Sequence, residues 1–373
     1  MNLAPGTLVE NKYRIVAPLG EGGMGTVYEA EQVPIGRIVA LKVLNRRQAR
    51  KKDSLKRFHR EARAAAAVGH PNICEVYDFG RLGDRRPYFV MERLYGQTLA
   101  DRIAAEGALP FDDVIVILAN VLLGLGAAHK KRVLHRDIKP ENVFLGRSSD
   151  GTQTVKILDF GVSKFVSVRG DVDEDQLTLT RTGIVMGTPY YMSLEQARGE
   201  RMLDERVDVY ACGVMFYEML TGRRPFSANN YNALLMEIVS KEPMSVRRLR
   251  PALPLGFDDV LARAMAKLKE NRFHSALEFR DAILGLRDRV RDRVRDKSVP
   301  PPSSQSHPPL KNTEAHPLPE PTDVGVRPWM DTLADEEVEA TQVGADAPSD
   351  TILEREDTTQ VRLDPSSRGQ TER

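Results

Sequence analysis

Apolar and polar positions along the first ninety residues fall into short runs and then change period. β-favouring runs cover residues 13–19, 25–32, 38–44, 74–81 and 87–93, with glycine and proline between them. One helical stretch interrupts them. Residues 58–68 carry an alanine-rich run, and Asp53 or Ser54 is placed to cap it. After Gly96 helical periodicity dominates, over residues 99–106, 111–130, 204–221, 231–241, 257–267 and 275–286. The pattern predicts a small β lobe followed by a larger helical lobe, an α+β architecture. The longest apolar stretch, residues 114–128, is interrupted by Asn120. It falls short of the roughly 20 residues a bilayer-spanning helix needs, so it reads as a buried helix. Residues 1–10 lack a basic region followed by an apolar core, so no secretory signal is expected.

Beyond residue 286 the pattern fades. Residues 287–297 read RDRVRDRVRDK, with opposite charges at i,i+3 and like charges at i,i+4. These pairs are worth about 0.2–0.5 kcal/mol each and partly cancel, so a fraying, solvated helical extension is expected. From 298 to 373 little apolar periodicity remains, and 11 of the 23 prolines lie there. Such a segment cannot bury enough surface to offset its ordering entropy, and a disordered, Pro-rich acidic tail is expected.

Composition sharpens this division. The 373 residues carry 54 basic and 53 acidic side chains, a net charge of +1. That total hides a tail with 6 basic and 15 acidic residues behind a first part of 48 and 38. Opposite signs of about this size lead us to expect the tail to fold back on the basic first part. Near-neutral overall charge argues against a dedicated nucleic-acid binder. Two cysteines, Cys74 and Cys212, exclude a disulfide framework and fit a reducing compartment, so a cytoplasmic protein with no membrane partner is expected.

The candidate chemistry begins at Gly20-Glu-Gly22-Gly-Met-Gly25-Thr-Val27, which follows a strand-like run. Glycines let a backbone approach phosphates and present amide donors, although a plain tight hairpin would use them too. A dinucleotide fold is disfavoured because residues 26–32 are strand-like where that motif needs a helix. Lys42 lies one strand later among Val39, Leu41, Val43 and Leu44. A lone strand lysine is usually a solvated edge residue, but a buried one needs an anionic partner, and Glu61 on the alanine-rich helix is the candidate. Glu61 could equally be a surface residue beside Arg57 and Arg60. More specific is His135-Arg136-Asp137-Ile-Lys139-Pro-Glu-Asn142, followed 17 residues after Asn142 by Asp159-Phe160-Gly161. Asp137 can accept a hydroxyl proton, Lys139 can neutralise a transferring phosphoryl group, and Asn142 and Asp159 supply the oxygen ligands that hard Mg²⁺ prefers.

Taken in order, GEGGMGTVY, VALK, Glu61, HPNI, VMER, HRDIKPEN, DFG, GTPYYMSLE, DVYACGVM and ENRF resemble the eukaryotic-like protein serine/threonine kinases, especially the bacterial ones. The resemblance spans residues 12–286 and implies the bilobal kinase fold, with an N-lobe over 12–94 and a C-lobe over 95–286. It implies ATP and Mg²⁺ as cofactors and proteins as substrates. Lys42 would contact the α/β-phosphates and pair with Glu61, while Gly20, Gly22, Gly25 and Val27 form the lid over the nucleotide. Ala40 would pack on adenine, Glu92 and Leu94 would give it hinge backbone groups, and Met91 would be the gatekeeper. Asp137 is then the catalytic base, Lys139 the phosphoryl-charge stabiliser, and Asn142 and Asp159 the metal ligands. Thr188, in the peptide-docking end of the activation segment, would contact Asp137 and Lys139, and Lys139 at this spacing favours Ser/Thr over Tyr substrates. Every residue needed for transfer is present, which disfavours the alternative of a catalytically silent scaffold. One departure is Leu194, where the family usually has proline; its effect is expected to be a slight loosening of the segment. Glu195 and Arg272 can still form a buried ion pair, and Asp208 matches the position that anchors the catalytic-loop backbone.

By the same resemblance, Arg136 awaits a phosphate in the activation segment, with Thr180 and Thr182 the expected autophosphorylation sites. The tail repeats threonine near acidic residues and before an aliphatic one, at Thr341, Thr351 and Thr358–Thr359. These resemble phosphothreonine ligands of forkhead-associated domains, so an adaptor of that kind is a candidate partner. A transient homodimer through the β lobe is a further candidate.

Overall fold

The computed structural model describes residues 3–147, 153–160 and 189–297, with the side chains of 290–297 excepted. Gly161, the segment with Thr180, Thr182 and Thr188, and the tail over 298–373 lie outside the described residues, as do the expectations placed on them. All described residues fall in the unit Met1–Ser303; a second unit, Ser304–Arg373, holds none.

The five β-favouring runs pair, with one two-residue strand ahead of them that the pattern does not predict, into one antiparallel sheet. Its strands are β1 (Leu8–Val9), β2 (Tyr13–Glu21), β3 (Gly25–Gln32), β4 (Arg37–Leu44), β5 (Val76–Arg81) and β6 (Pro87–Glu92), in the order β1-β2-β3-β4-β6-β5. Helices α1 (Arg46–Ala49) and α2 (Lys52–Val68) connect β4 to β5. The central strand β4 is apolar on both faces because both are covered. Val39, Leu41 and Val43 join Tyr13, Ile15, Tyr28, Tyr88 and Val90 on one side. Leu44 packs with Phe58, Ala62 and Phe89 on the other, beneath α2. Strand side chains alternate, so Lys42, two residues before Leu44, falls on the α2 side.

The start of α2 differs from expectation. It begins at Lys52, after an N-cap Lys51 that makes no side-chain capping bond. Ser54 is buried and its hydroxyl donates to Gln48 Oε1 at 2.7 Å, so neither it nor Asp53 caps the helix. Asp53 instead sits in the first turn, where its charge suits the helix dipole.

The second lobe contains strands that the periodicity did not reveal. β7 (Gly96–Thr98) leads into α3 (Leu99–Glu106) and α4 (Phe111–Lys130), and then come β8 (Val143–Arg147) and β9 (Gln153–Ile157). β7, β8 and β9 form a small antiparallel sheet. Each has three to five residues, too few to establish a period of two. Helices α5 (Leu194–Ala197), α6 (Arg206–Thr221), α7 (Tyr231–Ser240), α8 (Val246–Leu249), α9 (Phe257–Ala264) and α10 (Ala276–Lys297) complete the lobe. α10 is one continuous helix, so the charged extension prolongs the last helix of the lobe.

α4 corrects a further expectation. At 20 residues it has the length and apolar composition to cross a bilayer. Its Val114, Ile117, Leu118, Val121, Leu122 and Leu125 are instead fully buried in a core shared with α6 and α10. Gly126 permits the close approach of α10, because a Cβ there would lie 2.8 Å from a Leu277 methyl carbon. α6 is buried along nearly its whole length, Asp208 included.

Candidate active site

The β2–β3 turn carries the glycines. Gly22 N–H donates to Gly25 C=O at 2.8 Å and closes its tip. Gly25 is fixed by sterics, since a Cβ there would stand 2.1 Å from the Val43 carbonyl oxygen of β4. Gly20 and Gly23 meet nothing within 4 Å, and Gly22 only the Gly25 carbonyl at 3.8 Å. The turn is therefore an open stretch of backbone that a ligand can approach closely. Strand register gathers the other expected groups on one face of the sheet. Val27 lies opposite Lys42, and Ala40 lies opposite Met91, while Lys42 also faces Phe89.

Lys42 is held between two carboxylates. Its Nζ lies 2.7 Å from Glu61 Oε1 on α2 and 2.8 Å from Asp159 Oδ1. Burial alone would discharge the ammonium, but the Asp159 and Glu61 charges outweigh it and raise its pKa. One cation cannot fully balance two anions. Glu61, the more enclosed of the two, is pushed up by its burial and by the Asp159 charge. Asp159 and Arg136 have positive φ, 42° and 65°. Non-glycine residues rarely hold this conformation, which costs on the order of 1–3 kcal/mol, and two of the six such residues among those described lie in the loops that carry the expected chemistry.

The loop of residues 135–142 is hung from a core helix. The buried carboxylate of Asp208 on α6 accepts from His135 N–H at 2.9 Å and Arg136 N–H at 2.7 Å, and lies 2.8 Å from His129 Nε2. His135 is fully buried and burial lowers its pKa, so its ring is neutral. Its two contacts then fix the tautomer: Nε2–H donates to Leu158 C=O at 2.9 Å, and Nδ1 accepts from Asp137 N–H at 3.3 Å. Asn142 Nδ2 donates to the Asp137 carbonyl at 2.8 Å and contacts its Oδ2 at 3.3 Å. Lys139 Nζ stands 3.2 Å from the same Oδ2. Asp137, Lys139 and Asn142 are thus one cluster, and Leu158 N–H donates to Asn142 C=O to tie Asp159 to it.

Glu195 and Arg272 form the expected ion pair, with Nη1–Oε1 at 2.6 Å and Nη2–Oε2 at 2.9 Å, both residues buried. Leu194, also buried, is the first residue of α5. A reciprocal cap between Ser193 and Gln196 fixes that helix start, and Gln196 Nε2 reaches the Arg136 carbonyl at 3.0 Å. This capping supplies a local restraint where proline is absent.

A contact that sequence reasoning missed lies at Glu92, the last residue of β6. Lys156 Nζ on β9 contacts both Glu92 oxygens at 2.7 and 2.9 Å, and Glu92 Oε1 also accepts from Glu75 N–H at 2.9 Å. Lys156 lies between Val155 and Ile157, the same sign of a partnered lysine that Lys42 gave. Arg93 pairs with Glu29 at 2.7 Å and also donates to the Leu94 carbonyl.

For a divalent cation, the described residues hold no cluster of three or more His, Cys, Asp or Glu side chains. Asn142 and Asp159 offer two hard oxygen donors. That set fits Mg²⁺ shared with substrate phosphates rather than enclosed by protein.

A protein kinase domain family model matches residues 13–280. Similar curated proteins include the serine/threonine-protein kinase pkn3 of Myxococcus xanthus, 37% identical over 303 residues. That match covers 81% of this chain and 54% of the relative. Pkn1 of the same organism is 38% identical over 76% of this chain and 39% of its own length. PrkC of Bacillus subtilis is 33% identical over 78% and 43%. The chain thus spans from about two fifths to about half of these relatives. Among solved structures, the PknI kinase domain of Mycobacterium tuberculosis matches with a TM-score of 0.59 at 29% identity, covering 76% of this chain and 100% of that one.

Proposed function

The chain belongs to the protein kinase family, and on that premise we propose that it transfers the γ-phosphoryl group of ATP to serine and threonine hydroxyls of proteins. The observation that carries this reading is the Asp137, Lys139 and Asn142 cluster, with its loop held by Asp208 and with Asn142 bonded to Leu158, the residue before Asp159. In the step, the substrate hydroxyl oxygen forms a bond to the γ-phosphorus. The bond from that phosphorus to the β,γ-bridging oxygen breaks, and ADP leaves with the electron pair. The hydroxyl proton passes to the Asp137 carboxylate. Lys139 supplies positive charge to the transferring group, and Lys42 orients the α/β-phosphates. Gly20, Gly22, Gly25 and Val27 cover the nucleotide, while Ala40, Met91 and the backbone of Glu92 and Leu94 receive adenine. Asn142 and Asp159 would hold Mg²⁺, which supplies charge neutralisation on the phosphates. Catalysis of this kind is mainly positioning and electrostatic stabilisation.

The test is incubation of the full chain with radiolabelled ATP, Mg²⁺ and a mixed protein substrate, followed by phosphoamino-acid analysis. Phosphoserine and phosphothreonine without phosphotyrosine are expected. ATP binding with no transfer to any protein, itself included, would instead support a silent scaffold.

Activation by phosphate on Thr180 and Thr182 belongs to the same reading. Burial lowers the Arg136 pKa against the opposing Asp208 charge, and Arg60 of α2 adds a smaller lowering. Two guanidiniums so placed favour an anion. The Thr180→Ala/Thr182→Ala variant is expected to lose activity, and full activity in a transfer assay would reject the assignment. Protein substrates follow from the family; a forkhead-associated adaptor on the tail, a transient homodimer and a cytoplasmic location remain part of the proposal.

Lys156 is assigned a positioning role, because its bond to Glu92 couples the hinge to the strand that precedes Asp159. Lys156→Met is expected to raise the KM for ATP about tenfold, the equivalent of ~1.5 kcal/mol for one charge-assisted hydrogen bond. The kcat should stay within twofold, and Lys156→Arg should restore KM. Steady-state kinetics with varied ATP checks this, and an unchanged KM with a lower melting temperature would reduce Lys156 to a purely structural residue.

A further inference from the structure

The outer face of α2 carries charge that phosphoryl transfer does not use. From Lys52 to Arg63 the helix has five Lys or Arg residues against Asp53 and Glu61. Glu61 is taken up by Lys42, and Asp53 reaches only Lys56, at 3.9 Å. A shallow groove here is lined by Leu55, Lys56, His59, Arg60 and Arg63, which share one face of the helix. The neighbouring strand β5 extends it. Phe79 is 37% exposed with its ring 4.5 Å from that of His59, and Arg81 is exposed beside it. Among the described residues, neither Arg60 nor Arg63 has an ion-pair partner.

The groove therefore combines an apolar floor with an uncompensated cationic rim. Its field is felt locally: partial burial, Arg81 and Arg63 together lower the pKa of His59. A small anion would leave Leu55 and Phe79 uncovered. A nucleic-acid backbone would need a longer phosphate track than one helix face offers. We propose that this groove docks an acidic peptide segment of a partner protein, with a leucine-like side chain over Leu55 and Phe79 and carboxylates on Lys56, Arg63 and Arg81. Charge complementarity sets the on-rate and orientation, and burial of the apolar anchor holds the complex.

The test needs no phosphoryl transfer, so its failure is separate from that of the kinase reading. The full chain is titrated with a fluorescein-labelled synthetic decapeptide alternating glutamate and leucine. Saturable binding that weakens with added salt is expected, with an upward shift of the His59 titration by NMR. The Lys56→Glu/Arg63→Glu variant should lose affinity about tenfold while keeping its melting temperature and basal transfer rate. Equal affinity in the variant, or equal binding of a glutamate–alanine peptide, would overturn the proposal. So would tighter binding of oligothymidylate, or a dimer in sedimentation that the charge reversal dissolves, since either assigns the face to a different occupant.

Discussion

Replacing Asp137 by asparagine is expected to lower kcat for phosphoryl transfer by about 10²–10⁴-fold, the usual contribution of a positioned general base. The substitution is nearly isosteric, and the supports of the loop do not depend on the lost charge. Asn142 holds the Asp137 carbonyl, and Asp208 holds the two preceding backbone N–H groups. What disappears is a proton acceptor and the anion that Lys139 approaches at 3.2 Å. ATP affinity and melting temperature should therefore match wild type within error. Single-turnover transfer and nucleotide titration on the same preparation check this. Retention of more than a tenth of the rate would remove Asp137 from the role of base.

The second large effect is on stability. Arg272→Ala is expected to cost about 3–5 kcal/mol, because removing one partner of a buried pair leaves the other charge stranded. Arg272 donates to both oxygens of Glu195 and to the carbonyls of Ala266, Lys267 and Arg206, and lies 4.9 Å from the Tyr210 ring. Arg272→Lys should recover little, since an ammonium cannot reproduce the paired geometry. Calorimetry should show a fall in Tm on the order of 10 °C. The pair also predicts an acid limb. Burial raises the Glu195 pKa, but the Arg272 contact outweighs it and holds the carboxyl below its usual range. Its stabilisation is thus complete above the unfolded carboxylate pKa and is lost as pH falls through the folded one. In the Arg272→Ala variant that acid limb should flatten.

Some partnerships were legible because the chemistry leaves few options. A buried lysine in an apolar strand needs an anion, and the kinase resemblance singles out Glu61 on the next helix, whereas its second partner, Asp159, lies 117 residues later and is not legible as one. Asp208 and the Glu195–Arg272 pair follow from the resemblance carried by the ordered motifs. Other features depend on geometry that a linear pattern does not carry. β7, β8 and β9 are too short to display alternation. Ser54 resembles a cap but is drawn into a buried bond with Gln48, which only the placement of α1 makes available. Lys156 carried the same signature as Lys42, yet its partner Glu92 is 64 residues earlier and becomes adjacent only when β9 lies beside the hinge. The resemblance gives Glu92 a backbone role, while its carboxylate separately holds Lys156.

The burial of α4 has a consequence for biosynthesis. The ribosome releases α4 well before α6 and α10, the helices that cover it. At about 5–20 residues per second, the roughly 160 residues that follow take on the order of 8–30 s to emerge. For that interval the nascent chain displays a 20-residue segment that meets the length and composition of a bilayer span. Ribosome-stalled chains ending before Arg206 should therefore engage holdase chaperones or sediment with membranes, and chains extended past Lys297 should be released from both.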